Sequence, residues 1–408
     1  MSWPTMRLSE VADFRLGKML DQRKNKGDLL PYLANKNVRW GEFDLSEMRE
    51  MRFEERELET FSLKNGDIVM CEGGVPGRCA IWRDQLPKMM YQKALHRIRP
   101  FETMNEVYLY YNLSYRAKSG HFEGLFTGST IKHLPKEKLA LVEVDVPDLP
   151  TQERIAAILS AYDDLIENNR RRIALLEQAA RLLYREWFVH FRFPGHETAK
   201  FVDGLPEGWD KRPLIDLTTK LGSGATPRGG AGAYQEVGLT LIRSLNVYDY
   251  SFHDDGLVFL NEDQAKKLAN VTVEKHDVLL NITGASVARC CMVPDRHLPA
   301  RVNQHVMIVR TDLDESSPFF ILHSINAQQN KEKLLSIARA GGATREALTK
   351  DVVGNFEILC PPNELITLFG DQVEQMHEQA ETLSALNAQL TRVRDLLLPR
   401  LMDGRIPV

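Results

Sequence analysis

The stretch from Thr151 to Phe188, TQERIAAILSAYDDLIENNRRRIALLEQAARLLYREWF, decides the fold. It holds no Gly or Pro, and its apolar residues recur at alternating steps of four and three. Ile155, Tyr162, Asn169, Leu176 and Leu183 make one row; Leu159, Ile166, Ile173, Ala180 and Trp187 make the other. That spacing is the seam of a coiled coil, narrower than the stripe of an ordinary surface helix. Asn169 is its one polar member. The preceding Val146-Pro-Asp-Leu-Pro150 favours an extended approach, and Thr151 is the expected N-cap. At 1.5 Å per residue the helix is on the order of 55 Å long, more than one small domain needs. Such a seam requires a partner helix.

The partner lies near the other end of the chain. Pro361-Pro362-Asn363 punctuates again, and ELITLFGDQVEQMHEQAETLSALNAQLTRVRDLLLPRLM follows from Glu364 to Met402. Phe369, Met376, Leu383, Leu390 and Leu397 form an unbroken heptad row. The second row begins with Val373 and Ala380 and is expected to pass to Leu386 and Val393, one position early. An offset of 214 places Met376, Leu383, Leu390 and Leu397 on Tyr162, Asn169, Leu176 and Leu183. One element is written twice.

The duplication extends into the globular parts. Trp3, Leu8, Glu10 and Gly17 return as Trp209, Leu214, Asp216 and Gly222. KNGDIVMCEGGVPGRC, Lys64 to Cys79, returns as EKHDVLLNITGASVARC, Glu274 to Cys290, with Asp67 on Asp277 and Arg78 on Arg289. Gly128, Thr130 and Pro147 return as Gly342, Thr344 and Pro361. Apolar runs such as Ile68 to Cys71 predict strands; Val107 to Tyr115 and Pro318 to Gln328 predict helices. The expected fold is mixed α/β: two globular α+β domains joined by two long helices in an antiparallel coiled coil, with a pseudo-two-fold repeat. Domain boundaries fall at 1–150, 151–192, 201–363 and 364–404.

Composition excludes several classes. No apolar run approaches membrane-spanning length, and the first ten residues, MSWPTMRLSE, carry no signal-peptide core. The five cysteines form no C-x-x-C pair, so neither a metal site nor a disulfide framework is indicated, and a cytoplasmic location is expected. Net charge is −4, which argues mildly against a free-standing nucleic-acid binder. Catalytic motifs are missing. Leu221-Gly-Ser-Gly224 lacks the surroundings of a nucleotide site and reads as a turn needing positive φ. There is no phosphate loop, no Asn/Asp-Pro-Pro-aromatic motif, and no acid-x-Lys after a Pro-Asp. His121, His133, His297 and His305 show no metal-ligand spacing.

The residues CEGGVPGRCAIW from Cys71 to Trp82, PTQERI from Pro150 to Ile155, Trp187-Phe188, and LLLPRLMDGRI from Leu396 to Ile406 resemble the specificity subunit of type I DNA restriction–modification systems. The resemblance covers essentially the whole chain; Asn363-Glu364 departs from the usual Gln-Glu at the second helix start. It implies two target-recognition domains, each reading one half of a bipartite, asymmetric site in double-stranded DNA. The paired helices would serve as spacer and dock two methyltransferase subunits, to which motor-nuclease (restriction) subunits attach. The subunit itself would be non-catalytic; AdoMet, ATP and Mg are expected on those partners. The competing expectation is a coiled-coil scaffold with protein-binding heads.

Duplication sorts the candidate DNA contacts. Positions common to both halves, such as Arg78/Arg289 and Asn37/Asn246, cannot supply a difference in sequence read, and suit fold or phosphate roles. Base readers are expected in divergent polar segments. In the first half these are Arg23, Lys24, Asn25, Lys26, Lys36, Arg39, Arg116 and Lys118. In the second they are Arg228, Arg243, Tyr248, Arg301, Asn303 and Lys331.

Overall fold

A computed structural model describes residues 3–21, 25–227, 232, 234–340 and 346–408. The candidates Arg23, Lys24 and Arg228, and the repeat positions Gly342 and Thr344, lie outside the described residues. The chain divides into two units, residues 1–169 with 386–408, and residues 170–385.

The first unit is built on β1 (Ala12–Leu16), β2 (Asp28–Leu33), β3 (Arg49–Phe53), β4 (Ile68–Cys71), β5 (Cys79–Ile81), β6 (Met90–Tyr91) and β7 (Leu95–Pro100). One antiparallel sheet has the order β1-β7-β4-β5. A second has the order β3-β2-β6, with β2 and β6 parallel. Strand β4 is apolar throughout because both its faces are covered. Ile68 and Met70 enter the core under helix α1 (Glu106–Lys118); Val69 and Cys71 enter a second cluster with Trp82 and Tyr91. Helix α1 starts where the Asn105 side chain accepts from the backbone N–H groups of Val107 and Tyr108.

Helix α2 (Leu149–Tyr184) begins two residues before the expected cap. Asp148, not Thr151, caps it: its carboxylate accepts from Thr151 N at 3.0 Å, and Pro150 falls in the first turn, where no N–H is needed. Gln152 is buried; it accepts from Asn105 N at 2.9 Å and donates to the carbonyls of Thr103 and Pro147. That accounts for the glutamine in the PTQERI motif. Beyond Tyr184 the chain makes a π-turn, Arg185–Val189. The wider turn lets the adjacent Trp187 and Phe188 both be buried.

The second unit has β8 (Thr218–Ser223), β9 (Leu239–Ile242), β10 (Val258–Leu260), β11 (Thr272–Val273), β12 (Val278–Asn281), β13 (Cys290–Met292), β14 (Ala300–Val302) and β15 (Val306–Thr311). Its antiparallel sheet has the order β8-β15-β12-β13, and its mixed sheet β10-β9-β14-β11. Strand β12 is again buried on both faces, with Val278 and Leu280 in one cluster and Leu279 in another. The expected helix from Pro318 to Gln328 is two helices, α3 (Pro318–Asn326) and α4 (Gln328–Ala340), separated at Ala327 in an extended conformation. Gly224 shows no positive φ; a Cβ there would lie 1.7 Å from the Val302 carbonyl oxygen. Close backbone approach, rather than a turn, requires this glycine. Gly17 meets the Tyr91 carbonyl oxygen at 2.3 Å in the same way.

Helix α5 (Asn363–Met402) runs antiparallel to α2. In the first unit the start of α2 packs on the end of α5: Ile155 and Leu159 share a core with Leu398, Leu401 and Met402. In the second unit the end of α2 packs on the start of α5: Tyr184, Trp187 and Phe188 share a core with Ile366, Phe369 and Val373. Of the seam residues, Ile155, Leu159, Ile166, Asn169, Phe369 and Leu383 are buried; Tyr162, Ile173, Leu176, Leu183, Met376, Leu390 and Leu397 are half-buried. The second row of α5 does not pass to Leu386 and Val393, which are each 42 % exposed. It continues in strict heptads through Asn387, Arg394 and Leu401, so two polar residues enter the seam. Their polarity hid them from a hydrophobic pattern.

Candidate nucleic-acid interface

In the first unit, four loops meet beyond the end of β4. Glu72 N donates to Ala94 O at 2.9 Å, and Leu134 N donates to Glu72 O at 2.7 Å. Asn35 Nδ2 donates to Gly73 O at 2.6 Å, and Arg78 Nη2 donates to Asn35 Oδ1 at 3.0 Å. His133 Nδ1 lies 3.0 Å from Glu72 Oε2, with its ring against Gly73. The second unit builds a corresponding rim beyond β12. Ile282 N donates to His305 O, Leu348 N to Ile282 O, and Gly284 N to Glu346 O. Thr283 Oγ1 lies 2.6 Å from His305 Nδ1.

Shared residues recur in both units, buried asparagines near the rims and ion pairs at the opposite ends of β4 and β12. Asn37 is buried; it accepts from Ala34 N and donates to Asp44 O and Glu47 O. Asn246 does the same with Arg243 N, His253 O and Asp255 O. Asp67 takes a bidentate contact from Arg99 at 2.7 Å on both oxygens, and Asp277 one from Arg310 at 2.8 Å. Planar bidentate pairs fix orientation as well as charge.

The expected contacts separate into two groups. Lys26 is exposed, and Lys118 lies over the Trp40 ring at 4.9 Å. Lys36 and Arg39 border the rim in exposed ion pairs with Glu47 (2.8 Å) and Asp44 (3.4 Å). Hydrogen bonds from Ser46 and the charge of Arg39 hold Asp44 below the usual carboxylate range. Pairs this exposed contribute little to stability, so a phosphate can replace either acid. Arg289 lies over the Tyr248 ring at 4.4 Å, and Tyr248 stacks on His253. The other group is engaged by the fold. Arg116 is held by Asp145 at 2.6 Å and Asn112 at 3.0 Å. Arg301 is 9 % exposed, donates to Ala265 O and Ala300 O, and burial lowers its pKa. Asn303 is buried and accepts from His305 N; Lys331 is paired with Asp249; Arg243 donates to Gly256 O. Asn25 accepts from Arg52 N. Arg116, Arg301, Asn303 and Lys331 are thus engaged by partners within the fold. Arg116, Arg301 and Lys331 each take a partner from a segment far along the chain, whereas Asn303 is held locally.

Known proteins share this architecture. Residues 2–178 match the family model of the type I restriction modification DNA specificity domain. The MjaIX specificity subunit of Methanocaldococcus jannaschii is 24 % identical over 417 residues, spanning 100 % of this chain and 94 % of that protein. The HindI specificity subunit of Haemophilus influenzae is 24 % identical, over 74 % of this chain and 75 % of its own length. The type I S subunit from M. genitalium has a similar fold, with TM-score 0.59 at 15 % identity, over 98 % of this chain and 96 % of that one. Over essentially its whole length the chain is similar to type I specificity subunits, and its first 178 residues carry the match to their specificity domain.

Three rim residues carry no mark in the sequence. Asn35 ties Arg78 to Gly73, and Glu72 and Thr283 each hold a rim histidine. The usable signal was position, since Glu72 and Thr283 both follow the duplicated strand closely. Among the described residues, no group of three or more His, Cys, Asp or Glu is placed to hold a metal ion. Nor is any helix there long and apolar enough to cross a membrane. The five cysteines are buried and free, and burial pushes the Cys291 thiol up to about 12.

Proposed function

We propose that this chain is the DNA-reading, non-catalytic subunit of a type I restriction–modification complex. Residues 1–150 read one half of a bipartite, asymmetric site and residues 201–363 read the other. The paired helices, 151–192 and 364–404, fix the spacer and dock two methyltransferase subunits, through which motor-nuclease subunits join. AdoMet, ATP and Mg act on those partners, and the complex works in the cytoplasm beside the chromosome. The observation that carries this reading is the rim built twice, once beyond β4 and once beyond β12, on shared buried asparagines but with different polar residues around it. Conserved supports with divergent edges suit two readers of different sequences. Near-neutral charge fits a subunit whose partners supply part of the phosphate contact.

The test is to purify the chain with its neighbouring methyltransferase and measure binding to double-stranded DNA against salt. A steep fall in affinity with salt, and methylation at one sequence, are expected. A complex without salt-dependent DNA affinity would mark the chain as a scaffold.

A further inference from the structure

The polar contacts between α2 and α5 are not distributed evenly. Asn169 is 5 % exposed, and its Nδ2 donates to Asn387 Oδ1 at 2.9 Å; Asn387 Nδ2 donates to Ile166 O at 3.3 Å. About two turns away Asp163 pairs with Arg394 and also accepts from Tyr111. Burial opposes the Arg394 charge, but Asp163 and Asp395 outweigh it and raise its pKa.

The offset of 214 shows what these residues replace. The counterpart of Asn169 is Leu383, and that of Asn387 is Ile173. One turn forward along α2 and one turn back along α5 bring Ile173 and Leu383 to the next layer of an antiparallel pair. Within the chain, then, Asn meets Asn and Ile meets Leu. If α2 paired with α2 of a second copy, Asn169 would meet Ile173 twice. If α5 paired with α5, Asn387 would meet Leu383 twice. Asp163 and Arg394 behave alike, because their counterparts are His377 and Ala180. A self-pair of α2 sets Asp163 against Ala180, and a self-pair of α5 sets Arg394 against His377.

We infer that Asn169 and Asn387, supported by Asp163 and Arg394, make α2 select α5 of the same chain over the same helix of a second copy. Duplicated elements share most of their seam, so apolar packing alone discriminates poorly between the two pairings. Polar residues placed at non-equivalent positions add a repulsive element against the wrong partner. Each buried amide left without a partner in a self-pair weakens that pairing about tenfold or more. The inference rests on the reading of α2 and α5 as one duplicated seam element.

The experiment begins with the folded full chain. A protease site is inserted after Glu197, whose side chain is 72 % exposed. The chain is purified, cut, left to equilibrate, and its species counted by native mass spectrometry. The cut parent should remain one N-terminal piece with one C-terminal piece, with about one in ten or fewer pieces self-paired. After Asn169→Ile with Asn387→Leu the amide layers are apolar in every pairing and only Asp163 and Arg394 still select, so the self-paired share should rise severalfold above that of the cut parent. Asn169→Ile alone should likewise loosen the selection, since Asn387 then lacks an amide partner in every pairing and no longer favours the one-to-one form. One-to-one pairing that persists in both variants overturns the inference, as does redistribution of the cut parent. The readout is pairing and not DNA, so failure of the DNA-reading proposal would leave a separate mark.

Discussion

At the residue scale, the fold has used side chains that a sequence reading assigns to the surface. His323 is 3 % exposed, stacked on Tyr184 at 5.8 Å and beside Phe369 and Tyr250. Burial, aided by the Arg181 charge, brings its pKa down from 6.5 to about 3. Below pH 6.5 the unfolded chain takes up a proton that the folded chain refuses until about pH 3. Stability should therefore be lost as pH falls through that window, by up to about 1.4 kcal/mol per pH unit for this group. Thermal melts at pH 7 and pH 5 should show the drop, and His323→Phe should flatten it; an unchanged slope would assign the effect elsewhere. The rim separates stability from binding. Lys36→Ala and Arg39→Ala should shift unfolding by about 0.5 kcal/mol or less, yet each should lower the salt slope of DNA binding by about one. Arg301→Ala should cost stability instead, because its guanidinium is buried on carbonyls. Sequence could not separate Lys36 from Arg301: both are cations in polar segments, and only long-range packing distinguishes them.

At the scale of elements, the two long helices were the most legible part of the chain. Heptad spacing within one segment identified them, because that signal is local. The start of α2 lies two residues before the expected Thr151, since Asp148 caps ahead of Pro150. The polar half of the α5 seam was missed, because Asn387 and Arg394 become seam residues only when Asn169 and Asp163 face them. Gln152 holds three separate backbone groups at the α1–α2 junction, so Gln152→Ala should cost about 2 kcal/mol in a denaturant melt. A loss within error would mean that water takes over its contacts. The spacer role is testable by duplicating Leu175-Leu-Glu-Gln178. Four residues add about 6 Å and roughly 40° of rotation, and the seam absorbs them as a stutter. With DNA rising about 3.4 Å per base pair, the preferred spacer should change by one or two base pairs while both half-sites stay. Methylation that keeps the original spacer would exclude the helices as the ruler.

At the scale of the whole molecule, we propose that one reading unit was duplicated and its edges then diverged. The duplicated strand, with Asp67 and Asp277, was visible in the sequence; the rims were not, because they assemble from loops far apart in the chain. The most direct test maps methylated adenines genome-wide in cells carrying this chain with its methyltransferase. It does so for the parent and for a chain whose residues 201–363 are exchanged for those of a relative. The account predicts a bipartite, asymmetric site in the parent, with one half-site altered and the other unchanged after the exchange. An undivided site, or an exchange that changes both halves or neither, would contradict it.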